Sequence, residues 1–137
     1  MDFCGLEMIQ LHGTESPEFC GALMPHAIKG FRLNDASSLL PIGDYRGKIR
    51  AVLLDTYQKE IKGGTGKTFD WNLVTAAGEF GMPVILSGGL RPSNIQRAIL
   101  TVQPYAVDVN SGIEDSPGIK SPLLMKKLME KIRENEA

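Results

Sequence analysis

Short apolar runs alternate along this chain with longer segments whose apolar positions recur at helical spacing. Leu6 to Leu11 is the first run, and it closes on His12-Gly13. Ser16-Pro17-Glu18 marks a helix start, with Ser16 as cap and Pro17 at the first helical position, and predicts a helix to about Met24. Ala27 to Phe31 predicts a strand, and Asp35 to Leu40 a short helix after an Asn34-Asp35 cap. Ala51-Val52-Leu53-Leu54 is a compact apolar run that meets Asp55, and a polar, glycine-rich loop follows to about Asp70. Asp70 is placed to cap a helix over Trp71 to Phe80. Pro83 to Leu86 is another buried-strand run, ending in Ser87-Gly88-Gly89-Leu90. Pro92 to Val102 reads as a helix, and Tyr105 to Val109 as a strand ending in Asn110-Ser111-Gly112. Leu123, Leu124, Leu128, Met129 and Ile132 fall at helical spacing in a last, charged helix.

Strand and helix thus alternate about five times. With near-continuous apolar strands, this predicts an α/β fold with a parallel sheet and helices outside it. No linker divides the chain, and its 137 residues suit one domain with a real core. Composition changes little: 42% apolar and 23% charged residues are ordinary, and a net charge of −1 points to neither nucleic acid nor anionic membrane. Cys4 and Cys20 match no metal-binding spacing, and the two histidines lie far apart. No apolar run approaches a membrane span, and MDFCGLE lacks the blocks of a signal peptide, so a reducing, cytoplasmic location is expected.

Lys62-Gly63-Gly64-Thr65-Gly66-Lys67-Thr68 raises a different function, a phosphate-binding loop of an ATPase. The usual pattern puts glycine where Ile61 stands. A deviant form found in partitioning-type ATPases matches the letters, but such a loop must leave a strand directly and enter a helix. Here the strand ends near Asp55, polar Tyr57 to Glu60 intervene, and Asp70 reads as the following helix cap. ATP binding is therefore not expected, and Lys67 reads as a loop cation or a solvated lysine.

Polar and glycine residues gather just after the strands: His12-Gly13, Asp55, Ser87-Gly88-Gly89, and Asp108 with Asn110-Ser111-Gly112. Sites of parallel α/β folds lie at the carboxyl ends of the strands. Two successive glycine-containing strand ends suit a phosphate, because glycines let backbone N–H groups approach its oxygens. Taken singly, each Gly pair would be only a tight turn.

In combination, Ile9 to Gly13, Leu53 to Thr56, Gly63 to Trp71, Leu86 to Leu90, Val107 to Glu114 and Ser116 to Lys120 come in the order of the phosphoribosylanthranilate isomerase family. The resemblance covers nearly the whole chain. It implies a TIM-barrel fold, an aldose–ketose isomerisation in tryptophan biosynthesis, a phosphosugar substrate, and no cofactor or metal. The glycine-rich loop then resembles a family signature loop at the active site. The family performs an Amadori rearrangement: an acid protonates the ribose ring oxygen, the ring opens to a Schiff base, and a base removes the C2′ proton.

By the resemblance, Asp55 matches the general acid, a role that needs a carboxyl holding its proton through burial or a neighbouring negative charge. Gly88, Gly89, Asn110, Ser111 and Gly112 map onto the phosphate loops. Asp108 maps near the anthranilate moiety, and His12 faces the site from its own strand end.

The resemblance also has a gap. The family's base is a cysteine ending its first strand, after a lysine. Cys4 precedes a strand instead, which places it at the opposite face, and Cys20 falls within a helix. The strands correspond to the family's fourth to eighth, so residues 1–137 are expected to form the C-terminal five-eighths of one barrel, without the first three βα units. Three expectations follow: little or no turnover by the chain alone; exposed edges that favour self-association, or pairing with a missing N-terminal segment; and, as the alternative function, a non-catalytic phosphosugar-binding half-barrel.

Overall fold

The computed structural model describes residues 2–56 and 71–134. Five strands, β1 (Ile9–Leu11), β2 (Ala27–Arg32), β3 (Ala51–Asp55), β4 (Val84–Ser87) and β5 (Ala106–Val107), form one sheet in sequential order. Every neighbouring pair is parallel. Four helices, α1 (Pro17–Ala22), α2 (Asn72–Ala77), α3 (Ile95–Val102) and α4 (Pro122–Arg133), supply the other layer. An antiparallel hairpin, β6 (Glu114–Ser116) and β7 (Ile119–Lys120), stands apart from the main sheet.

Alternation along each strand sorts its side chains between two faces. Leu11, Ala27, Val52, Leu54, Val84 and Leu86 pack in the core with Cys20, Val74, Ala77, Ile95, Ala98 and Leu128 of the helices. Each such Leu, Ile or Val removed from water contributes roughly 1.5–3 kcal/mol, and this face holds the sheet to its helices. The other face carries Ile28, Ala51 and Ile85 toward the amino ends of the strands, and Leu53, Asp55 and Ser87 toward their carboxyl ends.

Several boundaries differ from the sequence pattern, each for a specific reason. β1 begins only at Ile9, because its partner β2 starts at Ala27 and offers nothing for Leu6 to pair with. Leu6 is left exposed, behind Gly5 in the left-handed region at φ 63°. Ser16 caps α1 as expected, its hydroxyl accepting from the Phe19 amide at 3.2 Å, but the helix ends at Ala22, before Pro25. The short helix after Asp35 is a 3₁₀ segment that extends to Tyr45. The segment expected from Trp71 to Phe80 divides into α2 and a tighter turn over Gly78–Phe80. α3 starts at Ile95 rather than Pro92, because the Asn94 side chain bonds backward to the Arg91 amide and the Gly89 carbonyl. Ser121 caps α4 through the Leu124 amide. The hairpin was not anticipated. The phosphate-loop lookalike, with Lys67 and the Asp70 cap, lies outside the described residues.

Candidate active site

In a parallel sheet all strands end on the same side, so each places its terminal polar residue on one rim. Here those residues line a single cavity of about 240 Å³. His12 follows β1, Asp55 ends β3, Ser87-Gly88-Gly89 close β4, and Asp108, Asn110, Ser111 and Gly112 follow β5. All eight residues singled out above therefore meet in one place. Gln10, Leu53, Ser87 and Leu90 also line it. Gln10 lies two residues before His12, so period-two alternation was the signal that would have found it.

The side chains are fixed from behind. Asp55 lies opposite Ser87 in the strand register and is half-buried. The Ser87 hydroxyl donates to Asp108 Oδ2 at 3.2 Å, which ties together the last two strand ends. Thr56, only 3% exposed, donates through Oγ1 to the carbonyls of Ser87 at 3.0 Å and Gly88 at 3.1 Å. Asn94 holds the other side of that loop, its Nδ2 donating to the Gly89 carbonyl at 3.0 Å.

Two kinds of glycine shape the loops. Gly88 and Gly89 sit at φ 91° and 64°, the left-handed region that side chains disfavour. Gly112 serves close approach instead: a Cβ there would fall 1.8 Å from the Leu90 carbonyl oxygen. The loops after β4 and β5 thus touch backbone to backbone, which a side chain would prevent.

His12 depends on a further glycine. A Cβ on Gly30 would fall 2.7 Å from His12 Nδ1, so the imidazole lies directly over the β2 backbone. Beneath it, on the helix-facing side of β2, Lys29 is 2% exposed. Its ammonium donates to the carbonyls of Gly13 at 2.8 Å and Gly30 at 3.2 Å, and pairs with Glu15 at 3.2 Å. Glu15 in turn accepts from the Gly13 amide at 3.0 Å. Its own backbone N–H, followed by Lys29, holds the Glu15 carboxyl below its ordinary value against partial burial. Every proton of the buried ammonium has a partner, as a buried charge requires.

Neither cysteine reaches the cavity. Cys4 is exposed before β1, and Cys20 is buried in α1, where desolvation pushes its thiol up. Among the described residues, no group of three or more His, Cys, Asp or Glu is placed to hold a metal ion, and no helix is long and apolar enough to cross a membrane.

The fold and rim define a parallel α/β protein with a polar cavity at the strand carboxyl ends, facing two glycine loops. The family described as N-(5′-phosphoribosyl)anthranilate (PRA) isomerase matches residues 1–131, and the chain belongs to that family. An N-(5′-phosphoribosyl)anthranilate isomerase of Geobacter metallireducens is 48% identical over 130 residues, which are 95% of this chain and 63% of that protein. The crystal structure of phosphoribosyl anthranilate isomerase from Thermotoga maritima superposes with a TM-score of 0.83 at 36% identity, over 97% of this chain and 64% of that one. A phosphoribosyl anthranilate isomerase in complex with reduced 1-(o-carboxyphenylamino)-1-deoxyribulose 5-phosphate gives a TM-score of 0.81 at 31% identity, over 97% and 62% of the two chains. The chain thus spans somewhat under two thirds of the length of these relatives.

Proposed function

We propose that this chain carries the acid and phosphate-binding half of an N-(5′-phosphoribosyl)anthranilate isomerase of cytoplasmic tryptophan biosynthesis. It is read as the fourth to eighth βα units of a single barrel. The observation that supports this most is the convergence of Asp55, Asp108 and His12 with both glycine loops on one cavity. A phosphosugar joined to an aromatic acid needs that combination: oxyanion-binding amides at one end and proton-transfer groups at the other.

In this reading the amides around Gly88, Gly89, Ser111 and Gly112 receive the phosphate. Asp55 delivers its proton to the ribose ring oxygen. The C1′–O bond breaks as the anilinic nitrogen lone pair forms the C=N bond of the Schiff base. Removal of the C2′ proton then returns those electrons to nitrogen and gives the enolamine, which tautomerises to the ketone. Asp108 borders the anthranilate portion, and His12 faces the substrate from the end of β1. No described cysteine stands where it would take the C2′ proton, so we expect the chain alone to bind and not to turn over.

The test is titration of the chain with the reduced deoxyribulose phosphate analogue, with an isomerase assay by proton NMR on the same sample. Saturable binding at the cavity, with turnover appearing only when the remaining length of a relative is supplied, supports the reading. Turnover by the chain alone at a rate typical of isomerases would remove the division of labour. Absence of binding would remove the assignment of the cavity. Binding without turnover even after completion would favour a phosphosugar-binding half-barrel.

A further inference from the structure

The hairpin after β5 has no part in the chemistry above, yet its sequence is strongly specified. Ser116-Pro117-Gly118-Ile119 places proline second and glycine third, with Gly118 at φ 82°, the combination a type II turn requires. The turn brings β7 back along β6, so that Lys120 lies opposite Glu114. From there the Lys120 ammonium donates to the Asn110 backbone carbonyl at 3.0 Å, to the Asn110 side-chain oxygen, and to Glu114 Oε1 at 2.7 Å. Those three partners use all three ammonium protons. Lys120 is therefore committed to the loop and has no proton left for a ligand. Glu114 orients it: the Lys120 hydrogen bond, with the Gly118 amide behind it, holds the Glu114 carboxyl below its ordinary value. Asn110 lies two residues before Gly112, where the loop meets Leu90.

We propose that the hairpin is a clamp on the phosphate loop, with Lys120 and Glu114 as positioning residues that hold Asn110-Ser111-Gly112 cupped toward the cavity. The proposal rests on the phosphate assignment made above and adds what preorganises it. Without the clamp the loop amides must be ordered by the ligand itself, which lowers affinity. The arrangement parallels that under His12, where Lys29 grips the Gly13 carbonyl and its ion-pair partner Glu15 accepts from the Gly13 amide. The difference is exposure, since the Lys120 side chain is 40% exposed and that of Lys29 only 3%.

The test is a titration of the full ¹⁵N-labelled chain with inorganic phosphate, following the amides of Gly89, Ser111 and Gly112. Wild type is expected to show saturable shifts at all three. Lys120→Met should weaken phosphate roughly tenfold, the size of one lost charge-assisted hydrogen bond. Lys126→Met removes the same charge from an exposed part of α4 and should stay within about twofold of wild type. Lys120→Arg should recover most of the affinity. Wild-type affinity in folded Lys120→Met, or equal weakening by Lys126→Met, overturns the clamp while leaving the phosphate site standing. If Lys120→Met does not fold, Glu114→Gln decides, with a few-fold loss expected and no change counting against the proposal. A wild-type chain without saturable shifts sinks the phosphate assignment itself, and the clamp with it.

Discussion

The two ends of the same five strands present opposite surfaces. At the carboxyl ends a cavity of about 240 Å³ is lined by carboxylates, an imidazole and glycine loops. At the amino ends a cavity of about 600 Å³ is lined mainly by Met8, Pro25, Ile28, Ala51, Pro83 and Ile85, with Tyr105 beside them 79% exposed. The larger opening is the one without the chemistry. Parallel pairing explains the division. Every strand terminates on one rim, so polar residues that end or follow strands accumulate there, while the opposite end receives what precedes them. A mainly apolar lining of this kind, beside the exposed Tyr105, suits packing against another surface. Changes at the carboxyl end should therefore alter ligand chemistry, and changes at the amino end should alter association.

The largest effect is expected from Asp55→Asn, in the chain completed to its relatives' length with the corresponding segment of the Geobacter metallireducens relative. Loss of the proposed proton donor should cut turnover by about 10²–10⁴-fold, with binding of the reduced analogue retained. A variant with near-wild-type kcat would move the acid elsewhere. Gly112→Ala comes next. Its Cβ has no room beside the Leu90 carbonyl, so the two loops must part. Urea unfolding should show a loss of about 1–3 kcal/mol, and phosphate shifts at Ser111 should disappear.

Two smaller effects probe the contrast from its other side. The edge strands and the apolar amino-end surface predict that the chain associates in sedimentation velocity. Ile85→Lys should shift it toward monomer while leaving phosphate shifts at the far end unchanged, and a monodisperse wild-type monomer would contradict this. The smallest effect concerns pH. Glu114 has a folded value depressed by Lys120. Its contribution is therefore complete above the ordinary carboxylate range and is lost as pH falls through the depressed value. Phosphate-loop amides should hold their wild-type shifts through mildly acidic pH and change only below that range, whereas Glu114→Gln should show no such step.

Much of this molecule was legible in the sequence because its signals are local. Apolar runs of strand length, the Ser16-Pro17 start of α1 and the spacing of Leu124, Leu128 and Ile132 depend on neighbours a few residues away. The candidate site was legible for a related reason. In a parallel sheet, the residues that end the strands must share a rim, so a list of strand ends is already a list of neighbours. Boundaries were less legible. β1 is short because β2, distant in sequence, starts late, and α3 starts late because the Asn94 side chain turns back to the Gly89 carbonyl instead of capping a helix from Pro92.

What only the tertiary structure decided is how the rim is held. Ile28-Lys29-Gly30 reads as part of a strand, and nothing local says that Lys29 is buried to grip Gly13 or that Gly30 is bare to seat His12. Nor does Pro117-Gly118 say that its hairpin returns Lys120 to Asn110. The sequence set the polar groups at the ends of strands through short-range backbone preference. Their positions relative to one another were set by charges and carbonyls far apart in the chain, which acquire partners only once the sheet has brought them together.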